Sequence, residues 1–224
     1  TEVIGGVTTF LTMAYIVFVN PAILSEAGMD KAALITVTIL ATAIGTLIFA
    51  ILGNAPFALA PGMGLNAFFT YSLVIGAGIP WQTGLGVVFL SGCVFFTLAV
   101  TGLRKTIADA IPRELAVASS AGIGLFLAFV GLKNMGVIIA NPDTIVSLAD
   151  FTPTVLIALF ALILMAILEY KKVKGGILIS IVVATIISVI FGFVELPTAI
   201  ISTPPSIAPV AFKLDIVGAL KFSL

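Results

Sequence analysis

The sequence predicts an all-α membrane protein with seven transmembrane segments, and three observations support this prediction. Of the 224 residues, 61% are hydrophobic and only 9% are charged, whereas about a quarter of the residues in a soluble domain are charged. Mean hydropathy is +1.31, so a water-soluble fold would lack polar surface. Six uncharged apolar runs approach or reach the about 20 residues that a membrane-crossing helix needs, namely 4–24, 32–52, 84–103, 115–132, 154–168 and 175–194.

A further uncharged stretch, residues 54–79, is long enough to cross a bilayer but cannot be one straight helix. Pro56 and Pro61 push the residues before them toward extended backbone, and Pro61 suits the first turn of a helix. We therefore expect extended backbone over 55–60, followed by a half-helix that begins at Pro61 and runs on through Phe68 to Val74. Non-helical backbone at this depth requires protein or water to satisfy its polar groups, so the stretch is expected inside the helix bundle.

The charge balance and the scarcity of His and Cys argue against several classes of function. Ten Lys and Arg balance ten Asp and Glu, and the chain has no His and one Cys. No basic arm suggests nucleic acid, and the usual ligands of a zinc site are missing. A membrane enzyme or a channel is disfavoured, because no Ser or Asp with a base is expected at bilayer depth. We predict no catalytic residue, metal or cofactor.

The loops predict an orientation. Three basic residues lie within 104–113 and three within 171–174, whereas residues 133–151 hold one Lys and two Asp. Basic loops favour the cytoplasm. With seven crossings the N-terminus is also cytoplasmic, and with six it would be outside. We expect a multi-pass protein of the cell membrane.

The start of the half-helix is the candidate binding site. A helix that begins inside the membrane offers unpaired N–H groups and the positive end of its dipole. Gly62, Met63 and Gly64 form this turn, Asn66 adds an amide that can donate and accept, and Phe68 adds a stacking face. The alternative is that Asn66 only joins helices and the glycines only permit close packing.

Polar residues of the first span form a second candidate surface. Thr8, Thr9, Thr12 and Tyr15 recur at helical spacing, and we include Thr12 and Tyr15 among the candidate substrate contacts. Threonine hydroxyls in membrane helices often bond to their own backbone instead. Asn20, which precedes a proline, is interpreted as part of a kink rather than a substrate contact.

Two long strings resemble a known family. TTFLTMAYIVFVNPAILSEAGM at 8–29 and NAPFALAPGMGLNAFFTYSLV at 54–74 are similar to signatures of the AzgA-like purine permeases, which are related to nucleobase-ascorbate transporters. The resemblance implies fourteen segments in two inverted repeats of seven, of which this chain is the first. It implies core-domain segments in 1–103, gate-domain segments in 113–194, and a linker toward the second repeat in 195–224. The resemblance also implies that the third segment is a short strand, at 55–60, leading into a half-helix. Asn66 matches the family's purine-binding Asn, and 62–64 match its half-helix start.

The resemblance also implies a function and its partners. The expected activity is secondary active transport of adenine, guanine or hypoxanthine by proton symport and alternating access. The family's acidic substrate and proton residues lie in the second repeat, and no carboxylate here falls in mid-span, so the chain alone is expected to be incomplete. Its expected partners are a purine, protons, the bilayer, and the second repeat or a like chain, for example in a homodimer. A uracil/xanthine-type or anion carrier of this fold, or a half-size subunit of a split carrier, are the alternatives.

Overall fold

The computed structural model describes residues 2–54, 57–194 and 203–222, and within these ranges the chain is mostly helical. The helices are α1 (Glu2–Met13), α2 (Ile16–Ser25), α3 (Lys31–Gly53), α4 (Met63–Gly76), α5 (Trp81–Val100), α6 (Leu103–Ala110), α7 (Arg113–Asn134), α8 (Pro153–Tyr170), α9 (Gly176–Ile190) and α10 (Ile216–Phe222). Two strands, β1 (Ile138–Asn141) and β2 (Ile145–Leu148), lie between α7 and α8.

Seven apolar helical stretches coincide with the predicted segments. Five are long enough to cross a bilayer: Val3–Ser25, Lys31–Gly53, Trp81–Val100, Arg113–Asn134 and Pro153–Tyr170. Two shorter ones are Met63–Gly76 and Gly176–Ile190. In none of the five is more than 22% of the most apolar window buried by the protein. Such extensive exposed apolar surface fits a lipid environment and is foreign to soluble proteins.

A β-hairpin corrects the prediction of a purely α-helical fold. Strands β1 and β2 pair antiparallel, with Ile138 opposite Leu148 and Asn141 opposite Ile145. The Asn141 side-chain oxygen accepts hydrogen bonds from the backbone N–H of Asp143 at 2.8 Å and Thr144 at 3.2 Å. This Asx turn, flanked by β-branched residues, favours a hairpin over a loop without secondary structure.

The broken segment differs from its prediction in two ways. No strand forms over the described residues 57–60, and α4 begins at Met63 rather than at Pro61. Thr46 Oγ1 accepts a hydrogen bond from the Leu59 N–H at 3.0 Å and donates one to the Leu59 carbonyl at 3.2 Å. A threonine hydroxyl thus satisfies backbone groups that a neighbouring strand would otherwise pair. Residues 55 and 56 of the predicted strand lie outside the described residues.

The first predicted span consists of two helices. Helix α1 ends at Met13 and α2 begins at Ile16. Hydrogen bonds between residues three apart close the turn between the two helices. The Val17 N–H donates to the Ala14 carbonyl at 3.2 Å, and the Phe18 N–H donates to the Tyr15 carbonyl at 3.1 Å. This break precedes Asn20 by more than one turn, and α2 continues through the buried Pro21. A kink at Asn20 stays a prediction.

The chain divides into two compact units. Unit 1 comprises Thr1–Val19, Gly45–Ala60 and Ala128–Pro204, and unit 2 comprises Asn20–Ile44, Pro61–Leu127 and Pro205–Leu224. In unit 1, α8 packs on α9 and α1 also contacts α9. The core of unit 2 contains Met29, Ala33, Leu34, Phe69, Val74 and Val210. The division into core-domain and gate-domain segments stays a prediction.

Most of the segment predicted as a linker packs into unit 2. Val210 is a core residue and Ala219 is fully buried. The Asp215 N–H donates to the Gln82 carbonyl at 2.9 Å, and one Asp215 carboxylate oxygen accepts from Thr83 Oγ1 at 3.2 Å. Gly86 lies beneath this contact, where an added Cβ would overlap the Asp215 carbonyl oxygen. Residues 195–202 of the predicted linker lie outside the described residues.

Candidate functional site

Three polar side chains of unit 2 form a hydrogen-bonded chain, which we call the amide relay: Asn66, Asn20 and Thr38. The Asn66 side-chain NH₂ donates to the Asn20 side-chain oxygen. The Asn20 side-chain NH₂ in turn donates to Thr38 Oγ1 at 2.8 Å. Asn20 and Thr38 are each only 3% exposed, while Asn66 is half-buried. The relay therefore runs from a buried end at Thr38 to an accessible end at Asn66.

Three separate helices supply the relay. Asn66 lies in the first turn of α4, Asn20 is in the middle of α2, and Thr38 lies two turns into α3. Around Thr38 the helix buries Ala33 and Leu34 in the unit 2 core. A buried polar group must find a partner inside the protein, and here each amide finds one on another helix.

The start of α4 has the character predicted for it. Gly62 is an extended N-cap residue, with φ −78° and ψ 110°, and provides no side-chain cap. Its carbonyl accepts from the N–H groups of Leu65 at 3.1 Å and Asn66 at 3.2 Å. Among the described residues, the N–H groups of Met63 and Gly64 have no hydrogen-bond partner. These donors lie three and two residues before Asn66, in the same first turn and at the positive end of the helix dipole.

Two further residues of α4 have contrasting environments. Phe68 is 57% exposed, so its ring face is open. Thr70 is fully buried, and its hydroxyl has no hydrogen-bond partner among the described residues. From Phe68 onward the helix is π-helical, a conformation that is rare and frequent at functional sites.

Thr9 and Thr12 of the first span bond to the backbone of their own helix, which was the predicted alternative to substrate contact. Thr12 Oγ1 donates to the carbonyls of Thr8 at 3.2 Å and Thr9 at 2.8 Å, and Thr9 Oγ1 donates to the Gly5 carbonyl at 2.9 Å. Thr12 also lines a unit 1 cavity of about 270 Å³. Tyr15 is half-buried beside the break between α1 and α2.

That unit 1 cavity has a charged lining, which includes Glu169, Lys172 and Lys174. Thr12 and Tyr15 belong to unit 1, whereas Gly62, Met63, Gly64, Asn66 and Phe68 belong to unit 2. A shared ligand for the two groups stays a prediction.

Sequence reasoning missed two members of the relay. Asn20 was assigned to a kink, and Thr38 was not singled out. The signal available for Asn20 was an amide side chain inside an apolar helix, since a regular helix does not satisfy its donors and acceptor. Thr38 gave no such signal, because a threonine hydroxyl can bond to its own helix. Pairing them required the structure, because Asn20 is 18 residues from Thr38 and 46 from Asn66.

The chemistry available at this site is binding. The relay and the start of α4 offer amide groups and backbone N–H donors, without a carboxylate or a thiol among them. In the part of the chain that the structure describes, no group of three or more His, Cys, Asp or Glu could hold a metal ion. The arrangement suits a planar, uncharged ligand with hydrogen-bonding edges.

Comparison with known proteins identifies the relatives of this chain. Residues 1–219 match the family described as "Permease family", Xan_ur_permease. A protein of Methanocaldococcus jannaschii named as a permease is 49% identical over 224 residues, which is 100% of this chain and 51% of the relative. The adenine permease AdeP of Escherichia coli is 43% identical over 225 residues, 100% of this chain and 50% of the relative.

A third relative is named for a different purine pair. The guanine/hypoxanthine permease PbuG of Bacillus subtilis is 45% identical over 218 residues, covering 93% of this chain and 50% of the relative. The chain thus spans about half the length of the curated relatives it matches.

Proposed function

This chain belongs to the permease family, whose members are membrane transporters rather than enzymes, and from that premise we propose that the protein containing it is a secondary active transporter of purine nucleobases. The names of its relatives support adenine, guanine and hypoxanthine as substrates. Proton symport is the coupling that we propose. The observation that carries the proposal is the identity of 43–45% to named purine permeases over nearly the entire chain.

We propose that the seven apolar stretches are seven membrane segments and form the first half of a 7+7 inverted-repeat fold. An odd number of crossings would start the following half on the opposite face, as inverted-repeat transporters require. The half-length match to the relatives supports this reading. The basic loops at 104–113 and 171–174 support a cytoplasmic N-terminus.

The proposed substrate site is the start of α4 together with the accessible end of the amide relay. Asn66 would hydrogen-bond the edge of the base, the N–H groups of Met63 and Gly64 would meet its acceptors, and Phe68 would stack on its face. The close approach of a ligand to Gly62 is unhindered, since an added Cβ there would meet nothing within 4 Å. We propose Thr12 and Tyr15 as residues of the access path.

Transport would proceed by alternating access. The base is held between the half-helix, Asn66 and groups of the second repeat, while one group of segments moves against the other. The half-helix contributes fixed donors and needs no covalent step. The coupling carboxylates are expected beyond these 224 residues.

Uptake into proteoliposomes tests the proposed function. Radiolabelled adenine, guanine, hypoxanthine and uracil are compared under an imposed proton gradient, with this chain and with the longest available chain that contains it. We expect purine uptake by the longer chain alone. Uracil uptake without purine uptake would instead identify a uracil/xanthine-type carrier, and purine uptake by the 224 residues alone would identify a half-size carrier that assembles with a like chain.

Asn66→Ala tests the site within the longer chain. We expect the half-saturation concentration for purine to rise by about tenfold, because one hydrogen bond to an uncharged ligand contributes about 0.5–1.5 kcal/mol and its unpaired partners cost more. Asn134→Ala is the matched control, since Asn134 is exposed at the end of α7. Unchanged half-saturation in Asn66→Ala would make Asn66 a structural residue only.

A further inference from the structure

We propose that Asn20 is a positioning residue for substrate: it holds one end of the Asn66 carboxamide by a hydrogen bond, so that the other end, which is the oxygen in this structure, faces the ligand. Thr38 holds the other end of the Asn20 amide. The inference rests on the proposed function, and it adds two residues outside the predicted site.

The first step is the burial of Asn20. At 3% exposure its amide is shielded from water, so both of its ends depend on protein partners. Thr38 Oγ1 accepts from the Asn20 NH₂ at 2.8 Å, and the Asn20 oxygen accepts from Asn66. Reversing the Asn20 amide alone would place its NH₂ against the NH₂ of Asn66, and both groups can only donate. Because the Thr38 hydroxyl can donate as well as accept, the relay can reverse only if both amides turn together, so the orientation of Asn66 is coupled to that of Asn20.

The second step is the direction imposed on Asn66. Because the Asn20 oxygen can only accept, the Asn66 NH₂ must face it, and the Asn66 oxygen is then directed elsewhere. Among the described residues, that oxygen has no hydrogen-bond partner. Asn66 is half-buried, so its oxygen is within reach of a ligand at the start of α4.

The third step is the match to the ligand class. A carboxamide oxygen accepts only, so the group facing it must be an N–H. Adenine presents an exocyclic amine, hypoxanthine a ring N–H, and guanine both. One relay can therefore serve all three purines. Holding the Asn66 side chain in place before binding also lowers the entropic cost of ordering it when the ligand binds.

Equilibrium binding of radiolabelled guanine and adenine to the purified longer chain in detergent tests this inference. We expect Asn20→Leu to weaken purine binding by about tenfold and Thr38→Val by about threefold, because each leaves the relay without a directing partner. Thr38→Ser keeps the hydroxyl and should stay within about twofold of wild type. Thr185→Val is the matched control, since the Thr185 hydroxyl donates to the Ile181 carbonyl of its own helix at 2.8 Å.

A double variant separates positioning from packing. If Asn20 acts through Asn66, Asn20→Leu should weaken binding no further in an Asn66→Ala background. Equal effects of Asn20→Leu with and without Asn66 would overturn the inference, as would unchanged affinity in both Asn20→Leu and Thr38→Val. Thermal unfolding of each sample reports whether the protein is folded. If Asn20→Leu does not fold, the comparison of Thr38→Val with Thr38→Ser still tests the inference.

The outcomes also distinguish the two proposals. Purine binding by wild type that Asn66→Ala weakens and Asn20→Leu does not would overturn positioning and leave the proposed function standing. A wild-type protein that binds uracil but no purine would overturn the proposed function, and the inference with it.

Discussion

Helix α1 and the amide relay satisfy their polar side chains in opposite ways. In α1, the hydroxyls of Thr9 and Thr12 bond to carbonyls three or four residues earlier in the same helix. In the relay, Asn20 bonds to α3 and α4. Polar residues at helical spacing in an apolar span look alike in sequence. The hydroxyls of Thr9 and Thr12 are nevertheless satisfied within their own helix, whereas Asn20 finds its hydrogen-bond partners on two other helices.

The difference lies in side-chain length and donor number. A threonine hydroxyl reaches the carbonyl of the preceding turn, so a membrane helix can carry it without a tertiary contact. An asparagine amide has two donor hydrogens and one acceptor oxygen, which a regular helix does not supply to it. Buried Asn in a span is therefore the better indicator of a tertiary site.

Gly86→Ala should give the largest change in stability. Unit 2 joins parts of the chain that are far apart, and a Cβ at Gly86 would overlap the Asp215 backbone, which cannot move as a flexible side chain would. We expect the free energy of unfolding to fall by about 3 kcal/mol, measured by thermal or denaturant unfolding in detergent. Gly92→Ala on the same helix meets nothing within 4 Å and should be neutral or stabilising by up to about 1 kcal/mol. Equal effects at both positions would refute the close packing of Asp215 on α5.

Thr38→Val should lower the free energy of unfolding by less than Gly86→Ala does, and its effect should distinguish the relay from the threonines of α1. It leaves the buried Asn20 NH₂ without its acceptor, and an unpaired buried donor costs about 1–3 kcal/mol. Interhelical hydrogen bonds in membranes average about 0.6 kcal/mol, so we expect a loss near the lower end, about 1.5 kcal/mol. Thr9→Val, which removes only a bond within α1, should change stability by less than about 0.5 kcal/mol. The comparison fails if the two substitutions have equal unfolding free energies.

Thr70→Val should have the smallest effect and the opposite sign. Its hydroxyl is fully buried with no hydrogen-bond partner among the described residues, and valine has nearly the same shape. Removing an unsatisfied polar group should stabilise the protein by about 0.5 kcal/mol, measured beside Thr38→Val in the same detergent. A loss of 1 kcal/mol or more would mean that the Thr70 hydroxyl has a partner in solution.

Local sequence was sufficient to predict much of the fold. All seven apolar segments were placed, because the cost of a charged or polar residue in lipid acts on each residue of a span. The half-helix was predicted to within two residues, with Met63 in place of Pro61 at its start, since proline and glycine restrict the backbone locally. The hairpin at Ile138–Asn141 and Ile145–Leu148 was missed because four-residue strands show too little alternation.

The sequence also singled out one member of the amide relay for the same reason. Asn66 and the glycine turn stood out by position, and their role in binding stays a prediction. The neighbouring proline suggested a local role for Asn20, and the structure adds a tertiary one for its amide.

The amino-acid sequence by itself determined that this is a helical membrane protein of the permease family, where its apolar helices lie, and that one helix starts partway along the uncharged stretch 54–79. These properties depend on composition and on local backbone restriction. Only the tertiary structure decided that Asn20 joins Asn66 to Thr38, that Thr46 satisfies Leu59, and that Asp215 packs on Gly86. Each of these contacts joins residues at least 13 positions apart, and no local pattern specifies which of many polar or small residues will meet once the helices pack.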